Sequence, residues 1–197
     1  MYPTIVPIVE GQSEEESVPV LLRRILAELQ VSCVGVARPF RIRRNRVGHE
    51  GEIERAVKQA VRDREGSACV LVILDADDDS PADLGPELLA RCRRQTPLPA
   101  AVVLANREFE AWFLGAKESL RGVCGIRADA LAPADPESIR GAKERLTRNM
   151  VNRRYLEVDD QPTLADRMSL DAARKHCPSF EMLFQAVKSL AAQVSTL

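Results

Sequence analysis

Histidine is almost missing from this chain of 197 residues, with two in all. That scarcity disfavours a zinc centre, whose ligands are mostly His and Cys. The five cysteines (Cys33, Cys69, Cys92, Cys124 and Cys177) are odd in number, lie far apart and include no Cys-x-x-Cys pair. Neither a disulfide framework nor a zinc ribbon fits that spacing, and they read as small buried hydrophobes in a reducing compartment. Excess charge is lacking too: the net charge of −1 excludes a globally basic nucleic-acid binder but leaves room for a local basic patch. No apolar run approaches the roughly 18 residues needed to span a bilayer. The N-terminus has neither the basic start nor the small-residue cleavage site of a signal peptide. Repeats and low-complexity tracts are absent. The expectation is a cytoplasmic protein with no membrane contact, long enough for one well-buried domain, or for one domain with a small appendage.

What the chain does have is acid at the ends of apolar runs. Val70-Leu71-Val72-Ile73-Leu74 runs directly into Asp75-Ala76-Asp77-Asp78-Asp79. An apolar run this short, without polar alternation, predicts a central strand of a parallel sheet covered on both faces. In such sheets, sites form beyond the carboxyl ends of the strands. Four acids within five residues repel one another, and a divalent cation is the usual reason to gather them. A solvated turn is the competing reading, since Asp-Asp-Asp-Ser-Pro is also good turn and N-cap composition.

Two other predicted strands end in the same way. Ile5–Val9 leads into Glu10-Gly11-Gln12-Ser13-Glu14, and Ala100–Ala105 leads into Asn106-Arg107-Glu108-Phe109-Glu110. Pro7 predicts that the first strand lies near an edge or carries a bulge. Ser13 with Glu16 reads as a capping box, and Pro19 predicts a helix that begins regularly near Ser17 or is kinked there. A second strand is expected over Cys33 to Ala37. A helix with Glu54 paired to Lys58 follows Gly51, and another begins at Pro81. Phe109, Trp112, Phe113 and Leu120 form a core stripe on one further helix. The helix dipole offers its own bland reason for Glu108 and Glu110 at that helix start. Beyond residue 121 no strand-like run appears, and Pro133 and Pro136 sit in an Ala/Asp/Pro linker. Short helices are expected near 136–150, 164–177 and 180–194. The fold class is therefore α/β, a mainly parallel sheet of about four strands flanked by helices. Residues 1–121 form the core, and residues 122–197 form a helical extension packed on it.

One segment departs from the charge average. Residues 38–46 hold five arginines and no acid, with Phe40 interleaved. Arg41, Arg43, Arg44 and Arg46 suit contact with a phosphate backbone; a solubilising loop or a surface for an acidic protein partner fits the same composition.

The acids at three strand ends suit hard cations with oxygen ligands, Mg²⁺ or Mn²⁺. Metals bridging a phosphodiester stabilise the attacking and leaving oxygens of an in-line displacement. Taken together, Ile8-Val9-Glu10-Gly11-Gln12-Ser13-Glu14 and Ile73-Leu74-Asp75-Ala76-Asp77 resemble the Toprim signature of topoisomerases, primases and overcoming-lysogenization-defect (OLD) nucleases. With Arg107 to Phe113, Lys143 and Ser179-Phe180 added, the chain resembles a family of small bacterial Toprim-like proteins of unknown function, DUF4276. That resemblance implies Glu10 as a metal ligand or general acid/base, and Asp75 and Asp77 as metal ligands assisted by Glu14. It aligns Glu110 with the extra catalytic carboxylate of OLD-type nucleases and brings Lys143 to a phosphate. It further implies a partner ATPase and a role in defence against phage. A homo-oligomer is compatible with the sequence.

Three functions compete on these residues. The leading one is a Mg²⁺-dependent nuclease acting on DNA or RNA. The second is a non-catalytic interaction subunit with a degenerate or structural metal site. The third, a receiver-like domain, needs a lysine at the end of a later strand, where this chain has Asn106-Arg107.

Overall fold

In the computed structural model, which describes residues 2–42, 51–64 and 66–195, the central strand is β4 (Ser67–Asp75). On one side it pairs in parallel with β1 (Thr4–Val9), and on the other with β5 (Ala100–Ala105). β1 in turn pairs with two short pieces, β2 (Gly35–Val36) at Thr4 and Ile5 and β3 (Phe40–Arg41) at Ile8 and Val9. Among the described residues the sheet thus has five strands, one more than expected, because the second strand is broken in two along the same edge of β1.

The break accounts for Pro7, which sits in a strand paired on both sides but next to the broken edge, and β1 shifts register against β4 between Thr4 and Ile5. The carbonyls of Ile5 and Val9 accept from Ala37 and Ile42 on the broken side. Pro7 shares their parity, so its missing N–H points at the gap between β2 and β3, where no ladder bond is lost.

Alternation along the strands divides the core in two. Ile5, Val9, Cys69, Leu71, Ile73 and Val103 face one layer, built by α1 (Glu14–Glu28) and the C-terminal helices. Val6, Ile8, Val70, Val72, Leu74 and Leu104 face the other, built by α2 (Glu52–Arg62) and α3 (Pro81–Arg93). Across the second layer Glu54 pairs with Arg91, at 2.7 Å, and not with Lys58 one turn along. The longer Arg side chain offers a two-pronged bond that an exposed i, i+4 lysine cannot match.

After β5 the chain forms α4 (Glu110–Gly115), every residue of which is buried. It ends earlier than the apolar stripe predicts, and Leu120 falls in a separate 3-10 turn over Lys117–Leu120. Phe109, Trp112 and Phe180 nest there, with ring centroids 4.6 and 5.3 Å from Trp112. Gly115 lets α4 approach the next layer, because a Cβ at that position would collide with Cys177 Sγ. Then come α5 (Ala142–Arg148), α6 (Glu157–Arg167), α7 (Leu170–His176) and α8 (Pro178–Val194). The apolar cluster that holds Ile5 and Leu71 also holds Leu146, Leu164, Leu183 and Leu190, so these helices share one core with the sheet. No helix among the described residues is long and apolar enough to cross a membrane.

Candidate functional site

Because the strands run parallel, β1, β4 and β5 end on one edge, and the turns that follow deliver acids there. β1 delivers Glu10 and then Glu14, in the first turn of α1. The Ser13/Glu16 capping box does not form; Ser13 makes no side-chain cap bond, and α1 begins at Glu14, three residues before Ser17. The acid that reaches back is Glu14, whose Oε2 accepts from the Glu10 amide at 3.1 Å. Gly11 makes room for it, since a Cβ there would lie 2.9 Å from Glu14 Oε1. Glu-Gly-x-x-Glu is thus a local device that folds one carboxylate over a bare backbone. Glu14 is 6 % exposed, and burial first, with the charges of Glu10 and Glu110, pushes its carboxyl up to about 7 against the pull of the Glu10 and Gly11 amides.

β4 delivers Asp75, whose Oδ1 accepts from the Phe109 amide at 2.8 Å and so ties the ends of β4 and β5 together. Burial, then the charges of Glu14, Glu110 and Glu10, raises its carboxyl well above the usual carboxylate range. Glu110, from the start of α4, is 1 % exposed. Burial pushes it up to about 7, opposed chiefly by the charge of Lys143. Its Oε1 accepts from Tyr155 Oη at 3.0 Å and Gln161 Nε2 at 3.3 Å.

Lys143 completes the group. Its Nζ lies 3.0 Å from Glu157. Burial works to lower its pKa, but the charges of Glu110, Glu157 and Asp75 and the bond to Glu157 outweigh that and raise it. Glu108 has a different task from Glu110: its Oε1 accepts from the amides of Gly141 and Ala142, at 2.9 and 3.2 Å, and so caps the helix that carries Lys143.

The structure therefore brings together Glu10, Glu14, Asp75, Glu110 and Lys143. Asp77, in a left-handed turn with φ of 51°, is exposed, as are Asp78 and Asp79. Asp78 is bonded to Arg107 at 2.8 Å and Arg140 at 2.7 Å, which hold its carboxyl below the usual range. Arg41 lies beside the first acid, its Nε donating to the Glu10 carbonyl at 3.3 Å. Arg43, Arg44 and Arg46 fall outside the described residues. Tyr155 and Gln161, which complete the surroundings of Glu110, carry no signal in the sequence, because they meet it across 45 and 51 positions.

The donor set, all carboxylate oxygen, suits Mg²⁺ or Mn²⁺. The buried Glu110 Oε2, which accepts no hydrogen bond from any described residue, is an observation in favour of that fit. Among the described residues no group of three or more His, Cys, Asp or Glu side chains is arranged as a metal cage. Mg²⁺ does not require one: it is commonly held by one or two carboxylates, with water and phosphate filling the rest of its shell.

Comparison with known proteins gives two likenesses. The model of a family described as "Domain of unknown function (DUF4276)" matches residues 9–188. Among solved structures, the C-terminal region of the Xanthomonas campestris pv. campestris OLD protein is similar over 98% of each chain, with 15% identity and a TM-score of 0.46. No curated protein matches the chain.

Proposed function

The chain belongs to the DUF4276 family, and from that premise we propose that it is a Mg²⁺- or Mn²⁺-dependent nuclease of Toprim type, cleaving phosphodiesters of DNA or RNA. The observation that carries this reading is the meeting of carboxylates from three strand ends, far apart in sequence, around Asp75, with the partly buried Lys143 beside Asp75 and Glu110. Carboxyl groups raised together by burial and by one another form a site that binding of a cation would relieve.

In this reading Asp75 and Glu110 would hold the cation directly, with water and phosphate filling the rest of its shell, while Glu10 and Glu14 border it and Asp77 lies at the rim. When bound, it supplies Lewis-acid polarisation of a phosphoryl oxygen and a water acidic enough to attack. Lys143 presents an ammonium to a non-bridging phosphate oxygen, exchanging part of its bond to Glu157 for that contact. Glu10 accepts the proton of the attacking water. Arg38 and Arg41 border a cavity of about 530 Å³ beside Gln12 and Ser13, and they offer contacts to a nucleic-acid backbone. A partner ATPase, phage defence, a cytoplasmic setting and self-association belong to the same proposal.

A non-catalytic interaction subunit is the second reading. One observation favours it: cations at the mouth are already engaged, Lys143 by Glu157 and Arg107 and Arg140 by Asp78. Incubating the protein with single- and double-stranded DNA and RNA in Mg²⁺ or Mn²⁺, beside Asp75→Asn, separates the two. Cleavage by the wild type that the variant loses is the expected result. No cleavage, or equal cleavage by both, overturns the nuclease reading.

A further inference from the structure

Glu110 is bonded unevenly, and the unevenness comes from α6 and the segment that leads into it. Both donors, Tyr155 Oη and Gln161 Nε2, fall on Oε1, while Oε2 is buried and receives none from the described residues. An ionised carboxyl can only accept, so Gln161 must turn its NH₂ toward Glu110 and its carbonyl away. Ser17, in α1, holds the amide in that sense: its hydroxyl donates to Gln161 Oε1 at 2.7 Å. Ser17 and Gln161 are 0 % and 1 % exposed, so water does not compete for these bonds. Tyr155 is fixed from behind. Its amide donates to Thr147 Oγ1 at 3.1 Å, and the next amide, of Leu156, donates to Asp160 Oδ2 at 2.8 Å.

We propose that Ser17, Tyr155 and Gln161 are positioning residues which saturate Oε1 of Glu110, so that Oε2 alone is presented to a divalent cation at the strand ends. The inference rests on the metal reading above and adds to it the chain's own means of orienting one ligand. Outer groups of this kind fix the geometry of a ligand that they do not replace.

The test is a calorimetric titration with Mn²⁺ of the wild type, Tyr155→Phe, Ser17→Ala and Gln161→Met, with thermal melting in chelator recorded for each. Expected is a loss of affinity of about 10-fold in each variant, and recovery in Ser17→Thr, which keeps the hydroxyl. Ser179→Ala is the control, a buried serine in a different network, expected to melt lower and bind Mn²⁺ as the wild type does. Variants that melt lower yet bind Mn²⁺ with wild-type affinity overturn the proposal and leave the metal reading standing. A wild type that takes up no Mn²⁺ overturns both. Should Gln161→Met fail to fold, Tyr155→Phe and Ser17→Ala decide, since each removes a single hydroxyl.

Discussion

Two buried glutamates flank the aromatic nest around Trp112, and they differ in their company. Glu137 accepts from both the amide and the hydroxyl of Ser179, the amide at 2.9 Å. The same hydroxyl accepts from Trp112 Nε1 at 2.8 Å and from the Asn106 amide at 3.3 Å. One donor and two acceptor positions are all that a hydroxyl has, so this network is closed. Glu110, more deeply buried, lies instead among other carboxylates and keeps one oxygen outside the network of described residues. Burial raises both carboxyls. A buried acid is thus not in itself a sign of function; a buried acid that repels its neighbours is.

That contrast is open to direct attack. The largest expected effect is on metal uptake: Asp75→Asn keeps an oxygen for the Phe109 amide but removes a charge, and lowers Mn²⁺ affinity by about 100-fold, or about 2.7 kcal/mol. Glu137→Gln, read by the same calorimetry, leaves that affinity unchanged. Equal losses would erase the distinction between the two glutamates. Next is Ser179→Ala, which strands an indole N–H, takes one of two donors from a buried carboxyl and lowers unfolding free energy in urea by about 2–3 kcal/mol, with no change in Mn²⁺ binding. Smaller is Gly11→Ala, where the new methyl displaces Glu14 and costs about 1–2 kcal/mol; a melt in chelator measures it, and a weaker Mn²⁺ isotherm accompanies it. Smallest is Asp78→Asn in the exposed turn, expected to hold Mn²⁺ affinity within about 2-fold because surface ion pairs contribute little.

Much of this arrangement is legible in the sequence. Short β-branched runs mark β1, β4 and β5, and parallel strands share the edge where their carboxyl ends lie, so Glu10, Asp75 and Glu110 meet for a topological reason. The side to which each acid turns is less legible. Asp75 and Asp77 are two apart, yet one ends a strand and points inward while the other sits at positive φ and points to solvent. Ser13 and Glu16 have the spacing of a capping box, but the carboxylate that reaches back is Glu14, which passes over the bare Gly11 to the Glu10 amide. The C-terminal helices are legible only as apolar faces. Nothing in their periodicity marks Tyr155 or Gln161, because a hydrogen bond across some fifty positions leaves no local pattern.

The interruption between β2 and β3 has a bearing on solubility. An uninterrupted outer strand would expose a row of backbone groups able to recruit a strand from another molecule. Among the described residues that border consists of two pieces of two residues each, separated by Ala37, Arg38 and Pro39. Among the described residues, a cation and an imino acid in the gap interrupt the row of pairing groups on that border. The proline that β1 tolerates at position 7 and the protection of this one border therefore have a single origin, while β5 at the opposite edge is unbroken.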